Sequence, residues 1–263
     1  MNKSYINVYQ SDYNNLKCLY IEDGIAKEEK IKFKPFLGLH AMKSEDTKWK
    51  DIYGKPAKIV AFDSIMEMRN WKKENNIGLD ILGDVRPEIQ FLATQYRHEI
   101  PIQKQGMVIW NIDIEVYCRE GFPHANLAAH PINAITIHRL VDNTYDVFGT
   151  GDYTPTADNI TYRKCNNEEH LLSEFIDRWM MEQPHIITGW NIKEFDIPYI
   201  VNRINRILGA DQVKCLSRER EIKQHETLNS MKQKTITFTL TGHIIWDYIE
   251  LYKKYCLEPR ESY

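Results

Sequence analysis

The chain of 263 residues has only five cysteines, Cys18, Cys118, Cys165, Cys215 and Cys256. They are odd in number, widely scattered, and none forms a CxxC pair. That excludes a disulfide framework and a thiolate zinc site, and the expected compartment is the reducing cytoplasm. No apolar run reaches membrane-spanning length, and the amino-terminal MNKSYINVYQ lacks a signal-peptide core, so no membrane partner is expected. Repeats and low-complexity tracts are lacking too, which excludes solenoids and long disordered segments. There is no excess of positive charge: 34 Lys and Arg stand against 37 Asp and Glu, a net charge of −3. A uniformly basic nucleic-acid binder is excluded, whereas a local basic track is not. None of the nine histidines stands at metal-ligand spacing. What is present, 43% hydrophobic and 27% charged residues, is ordinary for a globular chain of one to two domains.

Residues 1–103 read as a small α+β module. YINVYQ and CLYIED are predicted strands joined by a polar turn. KIKFKPFLGLHA alternates basic and apolar residues, as one half-exposed strand would. SIMEMRNWKKEN predicts a helix with Ile65, Met66 and Trp71 turned inward and its basic residues on a solvated face. QYRHEIPIQKQG marks a linker, and a second domain is expected over 104–263. Its order is strand, strand, strand, helix, strand, helix. MVIWNIDIEVY is the first strand; PINAITIHRLV and TYDVFGT form a hairpin through Asp142-Asn143. Asn167 caps a helix in which Leu171, Leu172, Phe175, Ile176, Trp179 and Met180 recur at helical spacing. Pro184 ends it, HIITGW is the next strand, and DIPYIVNRINRIL is a helix closed by Gly209. IKQHETLNSMK and the alternating TITFTLT predict a protruding hairpin with Asn229 and Ser230 at its tip. GHIIWD then leads into a helix at DYIELYKKY.

Two short segments carry chemistry. In WNIDIEVY, residues two apart share a strand face, so Asn111, Asp113 and Glu115 project together while Ile112, Ile114 and Val116 face the core. Adjacent carboxylates on an otherwise apolar strand repel each other and cost desolvation. A divalent cation is the usual compensation, and an oxygen-only ligand set favours Mg²⁺ or Mn²⁺. In TGWNIKEFDIPYI, Asp196 opens a predicted helix and could supply a third ligand; a helix cap is the plain alternative. Asn191 alone reads as a turn former. Asp247, at a strand-to-helix junction, reads as a cap and lies outside the predicted site.

WNIDIEVY followed by TGWNIKEFDIPYIVNRI resembles the first and second exonuclease motifs of family B DNA polymerases, most of all those of T-even-type phages. DIYGKPA at 51–57, REGFPHANLAAHPINAIT at 119–136 and DYIELYKKY at 247–255 are similar to the same family, so the resemblance covers nearly the whole chain. It implies an α/β (α+β) fold: a ribonuclease-H-like 3′→5′ exonuclease over 104–263, preceded by the small amino-terminal domain of the polymerase. It also implies two-metal phosphodiester hydrolysis at a DNA primer 3′ end, with two Mg²⁺ or Mn²⁺ ions. In that scheme Asp113 bridges both ions, Glu115 helps hold the nucleophile's ion, and Asp196 serves the leaving group's ion. Asn191 and Phe195 lie beside the DNA strand. Phe122 matches an aromatic that stacks on a base, with a loop anchor as the equal alternative. The third motif, YxxxD, is absent from the chain, with its Asp and Tyr. The expectation is therefore an exonuclease truncated before its last motif, weak or inactive alone, and completed by a separate polymerase-bearing chain. A sliding clamp and a single-strand-binding protein would be met through the holoenzyme, and RNA would be a further ligand of the amino-terminal domain. Two alternatives stay open. One is a stand-alone nuclease borrowing Asp247 or Glu250 as its last ligand; the other is a non-enzymatic DNA- or RNA-binding module.

Overall fold

The computed structural model describes residues 3–42, 47–75, 80–98, 100, 103–119, 121–228 and 234–256. They form a mixed α/β fold that divides into two compact units, Met1–Gln103 and Lys104–Tyr263.

In the first unit, β1 (Lys3–Gln10), β2 (Asn15–Glu22) and β3 (Ile25–Lys32) form an antiparallel sheet in that order. The β2–β3 turn is Asp23-Gly24, both at positive φ (54° and 76°), as a two-residue hairpin turn of this hand requires. A second sheet, ordered β5-β6-β4-β7, joins β4 (Phe36–His40), β5 (Trp49–Lys50), β6 (Pro56–Ala61) and β7 (Ile81–Leu82). KIKFKPFLGLHA is thus two strands in two sheets rather than one strand. Pro35 has no N–H for a ladder and interrupts the run; its carbonyl accepts from Phe62 N–H at 2.9 Å.

Helix α1 (Ile65–Glu74) begins after Ser64, whose side chain accepts from Glu67 N–H. Met66 is 41% exposed, and Met68, at 2%, takes the inward place expected of it. Three residues bring Met68 back to the face of Ile65, whereas Met66 lies about 100° round the helix. Trp71 turns in and meets Phe62, with ring centroids 5.6 Å apart. Helix α2 (Pro87–Gln95), not expected from periodicity, opens on a proline in its first turn and packs Phe91 against Leu16, Cys18 and Ile65.

The second unit is built on β8 (Ile109–Val116), β9 (Ile132–Arg139) and β10 (Thr144–Gly149), an antiparallel meander turned at Asn143 with φ 57°. β11 (Ile160–Lys164) adds to β10 in parallel. β12 (Ile186–Gly189) and β15 (Ile244–Asp247) add in parallel on the other side, giving the order β11-β10-β9-β8-β12-β15. β11 is a fourth strand where a helix was expected next; only Ile160 of ITYRK is an aliphatic β-branched residue, so the segment carries little apolar alternation.

Helix α3 (Glu168–Glu182) is capped by Asn167, whose side chain accepts from His170 N–H. Leu171, Leu172, Phe175, Ile176 and Trp179 are buried in the core beside Trp110, and the rings of Trp110 and Trp179 meet edge to face at 5.6 Å. Met180 is 42% exposed instead of buried, being eight residues past Leu172 and so about 80° round from it. Helix α4 (Asp196–Ile207) follows β12, then the short α5 (Ala210–Val213) and a 3₁₀ turn at Lys214–Leu216. β13 (Ile222–Leu228) and β14 (Lys234–Leu240) pair as the expected hairpin, largely exposed; Asn229 and Ser230 lie outside the described residues. Helix α6 (Tyr248–Tyr255) ends the described chain. Among the described residues no helix is long and apolar enough to cross a membrane.

Candidate active site

Strand period places the first carboxylates. Trp110, Ile112 and Ile114 of β8 are buried, and the intervening Asp113 and Glu115 are exposed on the opposite face. β8, β12 and β15 are mutually parallel, with Asn111 opposite Thr188 and Gly189 opposite Asp247. Their carboxyl ends therefore open at one side of the sheet. In parallel α/β sheets ligands bind in the crevice outside those ends.

The loop after β12 is shaped there. Asn191 holds φ 60°, a left-handed conformation that Asn tolerates better than most residues, and its carbonyl accepts from Glu194 and Phe195 N–H. Asp247 fixes the loop from β15. It accepts from Asn191 N–H at 2.9 Å and Lys193 N–H at 3.1 Å, and caps α6 through Ile249 N–H at 3.0 Å. The capping reading of Asp247 is right, but it describes one of three bonds. Glu250 pairs with Lys193 at 2.5 Å.

The loop delivers Asp196 into the first turn of α4, where Phe195, not Asp196, occupies the cap position. The Asp196 side chain is buried against β8 and accepts from Ile114 N–H at 3.3 Å. Burial, then the charge of Asp113, and weakly that of Asp247, push its carboxyl up to about 7. Desolvation raises Asp113 as well. Asp113 and Asp196 are thus brought together from opposite ends of the motif set. Glu115 does not join them in a tight cluster: among the described residues no three His, Cys, Asp or Glu side chains converge to hold one ion. The donor chemistry of the Asp113–Asp196 pair fits a hard divalent cation, since a buried carboxyl raised by the charge of a second carboxylate is relieved by positive charge.

Phe122 is 74% exposed on the loop after β8, and its ring sits 5.0 Å from that of Phe195. The aromatic pair flanks the amino end of α4 beside Asp196.

Gly189 is required where β12 passes β8. A Cβ there would stand 2.7 Å from the Ile112 carbonyl oxygen, a backbone atom that cannot turn away. Gly189→Ala is expected to cost about 1–3 kcal/mol of stability, the range for overpacking. The shift in urea midpoint measures it, and a change below about 0.5 kcal/mol would contradict the close approach.

Asp113 of β8 and Asp196 of the first turn of α4 thus stand beside the carboxyl ends of the parallel strands. The chain belongs to DNA polymerase family B, exonuclease domain, whose family model matches residues 84–263. It is 32% identical over 289 residues to the DNA-directed DNA polymerase of Escherichia phage RB69, and 31% identical over 290 residues to that of Enterobacteria phage T4. Both alignments take in 100% of this chain and 32% of the relative, so the chain spans about a third of the length of these polymerases. A shorter match, 41% over 58 residues, covers 22% of the chain and 5% of the DNA polymerase delta catalytic subunit of Caenorhabditis elegans.

Proposed function

We propose that residues 104–263 are a ribonuclease-H-like domain that removes nucleotides from a DNA 3′ end, and that residues 1–103 are the polymerase's amino-terminal domain. The observation that carries this reading is the pairing of Asp113 with the buried Asp196 at the carboxyl ends of parallel strands. Asp113, Glu115 and Asp196 would hold Mg²⁺ or Mn²⁺. Bound there, two such ions supply activated water near neutral pH and charge neutralisation at the leaving 3′-oxygen. The chain's own residues orient the strand. Asp196 is fixed by Ile114 N–H, and Asp247 fixes the loop that carries Asn191. The exposed Phe122, its ring against the half-buried Phe195, offers a face on which a terminal base stacks.

In this reading the ligand set is completed by the Asp and Tyr of a YxxxD motif. A polymerase-bearing segment brings it, whether continuous with this chain or separate. The assembly works on the primer end with a sliding clamp and single-strand-binding protein, in the cytoplasm of a phage host. Asp247 already has three amide donors, which disfavours lending it out as a ligand.

The test is digestion of 5′-labelled single-stranded DNA by the chain together with the polymerase-bearing segment, with Mg²⁺ or Mn²⁺. A ladder shortening from the 3′ end is expected, abolished by Asp113→Ala while oligonucleotide binding persists. Digestion at an unchanged rate by Asp113→Ala would sink the site assignment. Binding without digestion in any metal would put the non-enzymatic module in front.

A further inference from the structure

Helix α4 presents one polar stripe to the loop that precedes β9. Tyr199, Asn202, Arg203 and Arg206 stand at i, i+3, i+4 and i+7, so they share a face. Between them they bond five successive or near-successive carbonyls. Asn202 Nδ2 donates to Ala125 O at 2.9 Å, and Arg206 Nη2 to Leu127 O at 2.7 Å. Arg203 Nη1 donates to Ala128 O at 3.0 Å and Ala129 O at 3.4 Å, and Tyr199 OH donates to His130 O at 2.8 Å. Arg203 is anchored in turn by Glu168 at the start of α3, through Nε at 2.8 Å and through Nη2. The same Glu168 carboxylate accepts from Ile132 N–H at 2.8 Å, where the loop enters β9. The grip holds Ala128, fully buried, at φ 40°, a conformation unfavourable for a residue with a Cβ.

A buried Arg–Glu pair is weak evidence of stabilisation, because apolar replacements often serve as well. What it does here is fix a backbone. The gripped stretch buries Ala128 but leaves Leu127 at 62% exposure, and Phe122, three residues before the first gripped carbonyl, stands at 74%. The stripe continues one turn back to Phe195, which touches both Tyr199 (5.5 Å) and Phe122 (5.0 Å). Asp196 is the next residue.

We infer that Arg203, anchored by Glu168, is a positioning residue: it clamps the 124–130 loop to α4 so that Phe122 stands at a fixed place relative to Asp196, setting where a terminal base rests against the metal-binding end of the helix. This rests on the DNA-end reading above and adds to it the device that sets the platform. Arg203→Lys keeps the charge and loses the fork that reaches Glu168 and two carbonyls at once.

The test uses the 263-residue chain with fluorescein-labelled oligo(dT) in EDTA, so that metal plays no part. Arg203→Lys and Phe122→Ala should each weaken binding about tenfold, the worth of one stacked base. The double variant should bind no more weakly than Phe122→Ala alone, because Arg203 acts through Phe122. Amide exchange over 124–132 should quicken in Arg203→Lys while β8 and β12 keep their protection. Should Arg203→Lys fail to fold, Arg206→Ala, at an exposed position, should quicken exchange at 127–128 and weaken binding in the same non-additive way. Additive losses, or unchanged loop exchange, would overturn the positioning role. No binding by the unmodified chain would overturn the DNA reading itself, and this inference with it.

Discussion

Asp196→Asn should make the metal-free protein more stable by about 4 kcal/mol above pH 7, and no more stable near pH 3.5. The carboxyl, ordinarily at 3.8, is held up to about 7 by burial and by Asp113. Between those values the folded chain keeps a proton that the unfolded chain has released, so stability falls as pH rises through the window. Above pH 7 the wild type carries the whole cost of a buried, repelled charge; below 3.8 both states are neutral and the cost is gone. Asn keeps an oxygen for Ile114 N–H and removes the charge. Urea unfolding in EDTA from pH 3.5 to 8 should show the gap opening with pH. With Mn²⁺ the order should reverse, because only the wild type gains from a ligand bound to the native state. A stability difference that ignores pH would show that Asp196 is not the coupled, buried group its surroundings indicate.

The second large effect is acid-induced and lies at the amino end of β12. His185 accepts from Val108 N–H at 2.9 Å, and His243 bonds Pro184 O at 2.6 Å. Both are buried beside Arg218, which donates to Gln183 O. Desolvation, with Arg218 adding, holds His185 down to about 4 and His243 to about 3, against the usual 6.5. A depressed histidine stabilises the fold fully above 6.5 and loses that contribution as pH falls, because the unfolded chain takes up the proton first. By pH 4.5 the two together forfeit about 5 kcal/mol. That is a large part of the 5–15 kcal/mol available to a typical domain. Protonation of Asp196 works in the opposite sense over the same range, so the loss is best read in the Asp196→Asn background. There, stability should drop by about 5 kcal/mol between pH 7 and 4.5, and His243→Gln should remove about half of the slope. A flat profile would mean that these histidines titrate normally.

Local periodicity told the truth where one face of an element is apolar and the other is not. Asp113 and Glu115 fall outward because Ile112 and Ile114 fall inward, and a period of two leaves no other choice. Asn167 as a cap and Asn143 as a turn residue are equally local. The misplacements, Met66 and Met180, are residues at the border of a helical stripe, where a small rotation decides exposure. β11 and α2 escaped notice because the first has little apolar alternation and the second is marked chiefly by Pro87. The meeting of Asp113 and Asp196 lies beyond any spacing rule, since the contact between β8 and α4 spans 82 residues of chain. The two family motifs link those residues, and no local signal does. Asp247 shows the limit most clearly. Its cap is legible from the sequence, but its hold on Asn191 depends on β15 pairing with β12 in one particular register.

That hold has a consequence for the order in which the protein takes shape. Asp247 lies 56 residues beyond Asn191, and the bond from Ile114 to Asp196 spans 82 residues. Contacts that close loops of this length form slowly relative to the hairpins and helices around them. During synthesis the β8–β9–β10 meander can assemble as soon as it leaves the ribosome, while the Asn191 loop waits for β15. Asp196 therefore reaches Asp113 late, after the meander that carries Asp113 has formed. A nascent chain halted before Asp247 would hold the scaffold of a nuclease with its cutting edge still undrawn.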